Sequence, residues 1–184
     1  MNNFTQHLEQ NVNWNKVFGV VDSLYSDKGF TSNADNFARA TMVEKAIDKF
    51  SNLDRVDKNG YEFLFNDKKV ELKMGKNLFY KRKDPKATKR FKVKSFLSET
   101  KTVEDFKQIS TYDYLLVIDL TARRVVVVDD NHARSLYTEG ADGAMISLKE
   151  GDYYECNLPE INVTLPPTNL STLYNQADQS YLDF

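Results

Sequence analysis

The sequence predicts an α/β protein in which helices flank a central mixed β-sheet, and three stretches carry that prediction. Residues 36–50 place apolar side chains at helical spacing, residues 61–74 alternate as a hairpin does, and residues 114–129 hold two continuous apolar runs suited to a sheet covered on both faces. With 184 residues, 41% of them hydrophobic, the chain most simply makes one domain over 1–184, large enough to bury a core without staples.

Taken in order, residues 4–26 read as a helix anchored by Trp14 and ended by Asp27-Lys28-Gly29, with Gly29 as a left-handed cap. The next helix, 36–50, is capped by Asp35 or Asn36. It gathers Phe37, Ala40, Val43, Ala46, Ile47 and Phe50 on one arc, with Glu44 on the arc's edge, a carboxylate near the core side. Residues 52–59 read as a polar connection. Tyr61, Phe63 and Phe65 then face one way and Glu62 and Leu64 the other, Asn66-Asp67 turns, and Val70, Leu72 and Met74 alternate with Glu71 and Lys73.

The segment 74–94 reads as a basic loop or arm. Between Lys68 and Lys94 there are 12 Lys or Arg against two acids, a local patch able to contact phosphates although the whole chain carries a net charge of −2. A short helix follows over 101–110, with Thr102 as cap and Asp105 three residues on. The strands 114–120 and 124–129 turn at Thr121-Ala122-Arg123. Asp119 interrupts the first of them and reads as a strand-end carboxylate bonded to nearby amides. Residues 131–137 are a short helix candidate and 138–143 a loop, and 144–148 and 152–157 are short strands meeting at Glu150-Gly151. The segment 157–184 either docks on the body or reaches a partner subunit.

Composition removes several function classes. The lone Cys156 excludes an internal disulfide framework and a thiolate zinc cluster, and points to a reducing, cytoplasmic setting. Two histidines, His7 and His132, are too few for a His-rich metal site, and no phosphate-binding glycine loop or G-x-S-x-G appears. The N-terminal stretch is polar, so neither a signal peptide nor a membrane span is expected.

The hairpin carries the chemistry. A two-residue turn at Asn66-Asp67 sets Glu62 opposite Glu71, with Lys73 on the same face. Opposed like charges destabilise a sheet, and a divalent cation between them reverses that cost. Two carboxylates on adjoining strands can hold Mg²⁺ whose other positions go to water and phosphate oxygens, and a lysine beside them can orient an attacking water. In the basic segment, Lys76, Lys81, Arg82, Lys83, Lys89 and Arg90 are the candidate phosphate contacts, which position a duplex without reading its sequence.

Glu71-Leu72-Lys73, with Glu62 ahead of it on the preceding strand, resembles the PD-(D/E)XK nuclease superfamily, to which most type II restriction endonucleases belong. That family carries an acid on one strand of a core sheet and Asp or Glu-x-Lys on the next. The order helix, hairpin, helix, apolar strand over about 36–129 is similar to its core. Two positions depart from the pattern: the first acid is Glu where Asp is usual, and no proline precedes it, which leaves Asp57 as the substitute first acid.

The resemblance implies a restriction-endonuclease-like fold and a Mg²⁺-dependent endonuclease acting on double-stranded DNA, most simply a type II restriction enzyme. In it Glu62 and Glu71 bind metal, Lys73 positions the water, Glu44 is an auxiliary ligand, and a homodimer cuts both strands of a palindrome. Two alternatives stand beside it. One is a structure-specific phage or bacterial nuclease of replication or recombination. The other is a non-catalytic DNA-binding protein whose hairpin charges are ordinary surface.

Overall fold

The computed structural model describes residues 3–26, 33–58, 61–79, 90–95, 102–108, 112–140 and 143–161. The expected first helix is two, α1 (Asn3–Asn11) and α2 (Trp14–Ser26). They part because Asn13 is engaged elsewhere. Its amide donates to the Phe50 carbonyl at 2.9 Å, and its side chain accepts from Lys16 N–H at 3.2 Å, which caps α2 afresh. Trp14 is the expected anchor, fully buried, its Nε1–H donating to the Leu8 carbonyl at 2.9 Å. The Gly29 cap lies outside the described residues.

Helix α3 (Asn33–Lys49) begins earlier than its predicted cap, so Asp35 and Asn36 lie inside its first turn rather than ahead of it. The side chains of residues 33–37, Phe37 among them, are outside the described set. Val43, Ala46 and Ile47 are buried as expected.

The polar connection before the hairpin is corrected to a strand. β1 (Asp54–Lys58) pairs antiparallel with β2 (Tyr61–Phe65), so its backbone groups find ladder partners although its side chains show no apolar alternation. β2 pairs antiparallel with β3 (Lys68–Gly75). The turn between them is the predicted two-residue one, with Asn66 at φ 48° and Asp67 at φ 62°, the left-handed pair that matches strand twist.

From β3 the chain passes through β4 (Phe91–Ser95) and α4 (Val103–Gln108) to β5 (Tyr114–Asp119), which lies parallel to β3, Glu71 beside Leu115 and Lys73 beside Val117. β5 returns as antiparallel β6 (Arg124–Asp129) through the predicted turn. After α5 (Asp130–Ser135), β7 (Thr138–Glu139) and β8 (Gly143–Ile146), the two-residue β9 (Tyr154–Glu155) joins the far edge beside β6. The result is a mixed sheet in the order β1-β2-β3-β5-β6-β9 with helices against it, the predicted fold class.

The two apolar runs explain the layers. Leu116, Ile118, Val125 and Val127 join α1, α2 and α3 in one core, while Leu115, Val117, Val126 and Val128 join α4, α5 and β8 in a second on the opposite face. Strict alternation along strands buried on both sides produces this division, and each such side chain contributes about 1.5–3 kcal/mol by leaving water. Phe4, Leu8, Trp14 and Cys156 also belong to the first core, which therefore extends beyond 36–129.

Several further expectations are met and others revised. Thr102 and Asp105 form a reciprocal capping box, Thr102 N–H to Asp105 at 3.0 Å and Asp105 N–H to the Thr102 hydroxyl at 3.2 Å. The basic arm is not loop throughout: β3 runs to Gly75, and β4 pairs with β8, which also pairs with β7 inside the stretch read as loop. The strands predicted to meet at Glu150-Gly151 separate into different sheets, β8 with β4 and β7, β9 with β6. Tyr61 leaves the face of Phe63 and packs on the second core, because the β1–β2 register shifts between Arg55 and Lys58. At the start of the C-terminal segment, Leu158 and Ile161 pack on the first core and Asn157 N–H donates to Glu9 at 2.7 Å, so this part docks on the body. Among the described residues no helix is long and apolar enough to cross a membrane.

Candidate metal centre on the hairpin

The predicted register holds from Phe65↔Lys68 to Phe63↔Val70, and Glu62 and Glu71 are next in line. There the ladder opens. By the alternation of antiparallel bonds, the Leu72 amide points at β2, where the Tyr61 carbonyl would be its acceptor. It donates instead to Glu62 Oε2 at 2.6 Å. On its other side Glu62 meets a bulge, since Arg55↔Phe63 and Lys58↔Tyr61 leave Val56 and Asp57 of β1 opposite the single Glu62 of β2. A bulge re-aims the side chain it faces. Glu62 thus stands where both ladders of β2 are irregular. Asp57, the alternative first acid, lies in that bulge, with its side chain outside the described set.

Glu71 is buried, 7% exposed, and forms an ion pair with Lys73 two residues along the same face. Burial first and the Glu71 charge second push the Glu62 carboxyl from its ordinary 4.5 up to about 7; the Leu72 N–H and Lys73 pull it down, and Glu44 adds a final upward push. Glu71, Lys73 and Glu44 therefore all act electrostatically on Glu62. Glu44 comes from α3, and its Oε2 is paired at 3.2 Å with Arg55 Nη2 of β1, both side chains mostly buried.

Sequence reasoning missed two participants. Arg55 was hidden because its partner is on another element. Tyr137, after α5, is buried, its hydroxyl bonded to that of Tyr112, and burial together with the Glu71 charge holds its pKa above the ordinary value. Nothing in the local pattern of either residue signals the hairpin.

As a donor set, the hairpin offers two carboxylates, one oxygen of Glu62 tied to an amide and one of Glu71 tied to Lys73. Among the described residues no group of three or more His, Cys, Asp or Glu side chains is arranged to hold a metal ion. Two carboxylates, with water free to fill the remaining positions, fit a cation that keeps most of its water, as Mg²⁺ does, rather than one needing a full protein cage.

The candidate phosphate contacts are less gathered. Lys76 is exposed just beyond β3. Arg90 is exposed but engaged, its Nη2 donating to the Thr138 hydroxyl at 2.9 Å and the Glu139 carbonyl at 2.6 Å. Lys81, Arg82, Lys83 and Lys89 lie outside the described residues. Asp119 takes the structural role expected of it, accepting from the amides of Asn77, Phe79, Thr121 and Ala122. No protein-family model, curated protein or solved structure matches the chain.

Proposed function

We propose that this chain is a Mg²⁺-dependent endonuclease of the PD-(D/E)XK type that hydrolyses phosphodiester bonds of double-stranded DNA as a homodimer, a type II restriction enzyme in the simplest form. One observation carries the reading: Glu62 and Glu71 meet at the opening between β2 and β3, with Lys73 on Glu71, and their mutual repulsion and burial raise Glu62 to about 7. α3, the β2–β3 hairpin, α4 and β5 follow one another in the sequence on which the resemblance rests, with β1 and β4 added between them, and β5 is laid directly beside the E-x-K strand.

In this reading Glu62 and Glu71 hold the ion, which when bound would neutralise the scissile phosphate and acidify a water. Lys73 holds and orients that water and steadies the charge that develops on phosphate oxygen. Glu44 stands behind the pair as the auxiliary acid. Lys76 and the basic segment after it supply phosphate contacts.

The test is incubation of supercoiled plasmid with Mg²⁺ and with EDTA. Cutting in Mg²⁺ alone is expected, discrete fragments marking a restriction enzyme and cutting confined to branched DNA marking a structure-specific one. A second reading, a non-catalytic DNA-binding protein, is favoured by Glu71 and Glu44 each already having a cationic partner within the fold, Lys73 and Arg55. It predicts binding with no cutting of either substrate.

A further inference from the structure

Four of the described arginines pair with a carboxylate: Arg55 with Glu44, Arg123 with Asp22, Arg124 with Glu155 and Arg134 with Asp130. Arg90 is held differently. Its Nη2 donates to the Thr138 hydroxyl at 2.9 Å and to the Glu139 carbonyl at 2.6 Å, both uncharged acceptors, and among the described residues it forms no ion pair. The Thr138 hydroxyl is itself fixed, because its proton goes to the Met145 carbonyl at 3.3 Å and its lone pairs remain for Arg90.

The small sheet decides where this guanidinium lies. β8 separates β4 from β7, so Arg90, immediately before β4, reaches across β8 to β7. Lys92, Met145 and Thr138 are register partners across the three strands and share one face. The neighbouring pair, Phe91 and Ile146, takes the opposite face, where Ile146 is buried in the second core. Arg90, Lys92 and Thr138 are all exposed, so the outer face carries two cations beside an oriented hydroxyl. The bonds to β7 use Nη2 alone, which leaves the Nε and Nη1 hydrogens of the fork for an outside acceptor. A guanidinium that is already aimed and has no carboxylate on it binds an anion at little ordering cost.

We propose that the exposed face of the β4–β8–β7 sheet is a phosphate-contact site for duplex DNA, in which Arg90 grips a backbone phosphate and Thr138 is the positioning residue that aims it. This rests on DNA being the ligand, as in the nuclease reading, and not on cleavage. Arg90 contributes charge and hydrogen bonds to the phosphate, Thr138 contributes orientation only, and Lys92 adds a second positive charge to the face. Salt dependence separates charge from orientation, because counterion release counts neutralised phosphates and is blind to how the cation is aimed.

The experiment is a fluorescence anisotropy titration of a labelled DNA duplex with the full chain in EDTA, repeated over a series of salt concentrations, with the melting temperature as the folding control. Arg90→Gln should weaken binding about tenfold and flatten the slope of log K against log salt by about 0.9, the share of one phosphate. Thr138→Val keeps the shape and removes the hydroxyl; it should weaken binding about threefold with the slope at the parent's value. Arg90→Lys, the variant that serves if Arg90→Gln does not fold, should also keep the slope and lose affinity, since lysine carries the charge without the braced fork.

If Arg90→Gln keeps the parent's slope, Arg90 touches no phosphate and the site is wrong; a lowered melting temperature with that unchanged slope would mark a clasp between β4 and β7 and nothing more. If Thr138→Val or Arg90→Lys binds as tightly as the parent, the aiming role is wrong. A parent that binds no duplex overturns the site and the nuclease reading together. The expected slope loss in Arg90→Gln, found in a chain that does not cut plasmid in Mg²⁺, would support the site and overturn the nuclease reading.

Discussion

Two carboxylates on the same sheet, Asp119 and Glu62, end in opposite situations. Asp119, 1% exposed, closes β5 and accepts from four amides, those of Asn77, Phe79, Thr121 and Ala122, at 3.0–3.2 Å. It ties the chain after β3 to the β5–β6 turn. Glu62 receives one amide, faces Glu71, and is held near pH 7 by burial and that neighbour. Asp119 is buried and Glu62 half-buried, so depth in the fold alone does not account for the difference. What differs is how far the lone pairs are filled and whether a like charge stands close by.

The largest expected effect separates the two regions by function. Lys73→Ala should lower plasmid cleavage by about 10²-fold or more, the scale of a lost positioning or proton-handling group, while DNA binding in a gel-shift assay stays near the parent's. Asp119→Ala should do the reverse. It leaves four amides without their acceptor, and urea unfolding should show a loss of about 3 kcal/mol.

A third test uses pH. The folded value of Glu62, about 7, lies above its ordinary 4.5, so the stability this group contributes is fully present below pH 4.5 and lost as the pH rises to about 7. Urea unfolding at pH 4.5 and pH 8 should therefore show a fall with rising pH that Glu62→Gln flattens; an unchanged slope in the variant would mean that Glu62 is not the strained acid. The smallest effect is at the turn between the strands. Asp67, at φ 62°, occupies the position where the turn favours glycine, and Asp67→Gly should stabilise the fold by about 0.5 kcal/mol with cleavage unchanged.

What was legible in the sequence was local. Alternation around Asn66-Asp67 defined the hairpin and its register, the three-residue spacing of Thr102 and Asp105 announced the cap of α4, and an acid at the end of an apolar run announced the amide cluster of Asp119. What escaped was held by distant partners. β1 is a strand because β2 lies beside it, not because Asp54–Lys58 has strand character. The break before α2 depends on the Phe50 carbonyl, and β4 and β8 pair across a long stretch of chain. At the site, Glu62, Glu71 and Lys73 were found by counting along two strands. The bulge opposite Glu62, the grip of Arg55 on Glu44 and the nearness of Tyr137 to Glu71 arise only when separate elements pack.

The central claim is that Glu62 and Glu71 share one divalent cation. Crystals soaked in Mn²⁺ and measured at a wavelength where manganese scatters anomalously test it most directly. The account predicts an anomalous peak in the opening between β2 and β3, bound by an oxygen from each glutamate. A chain that shows no peak there, with Glu71 still paired to Lys73, would contradict it.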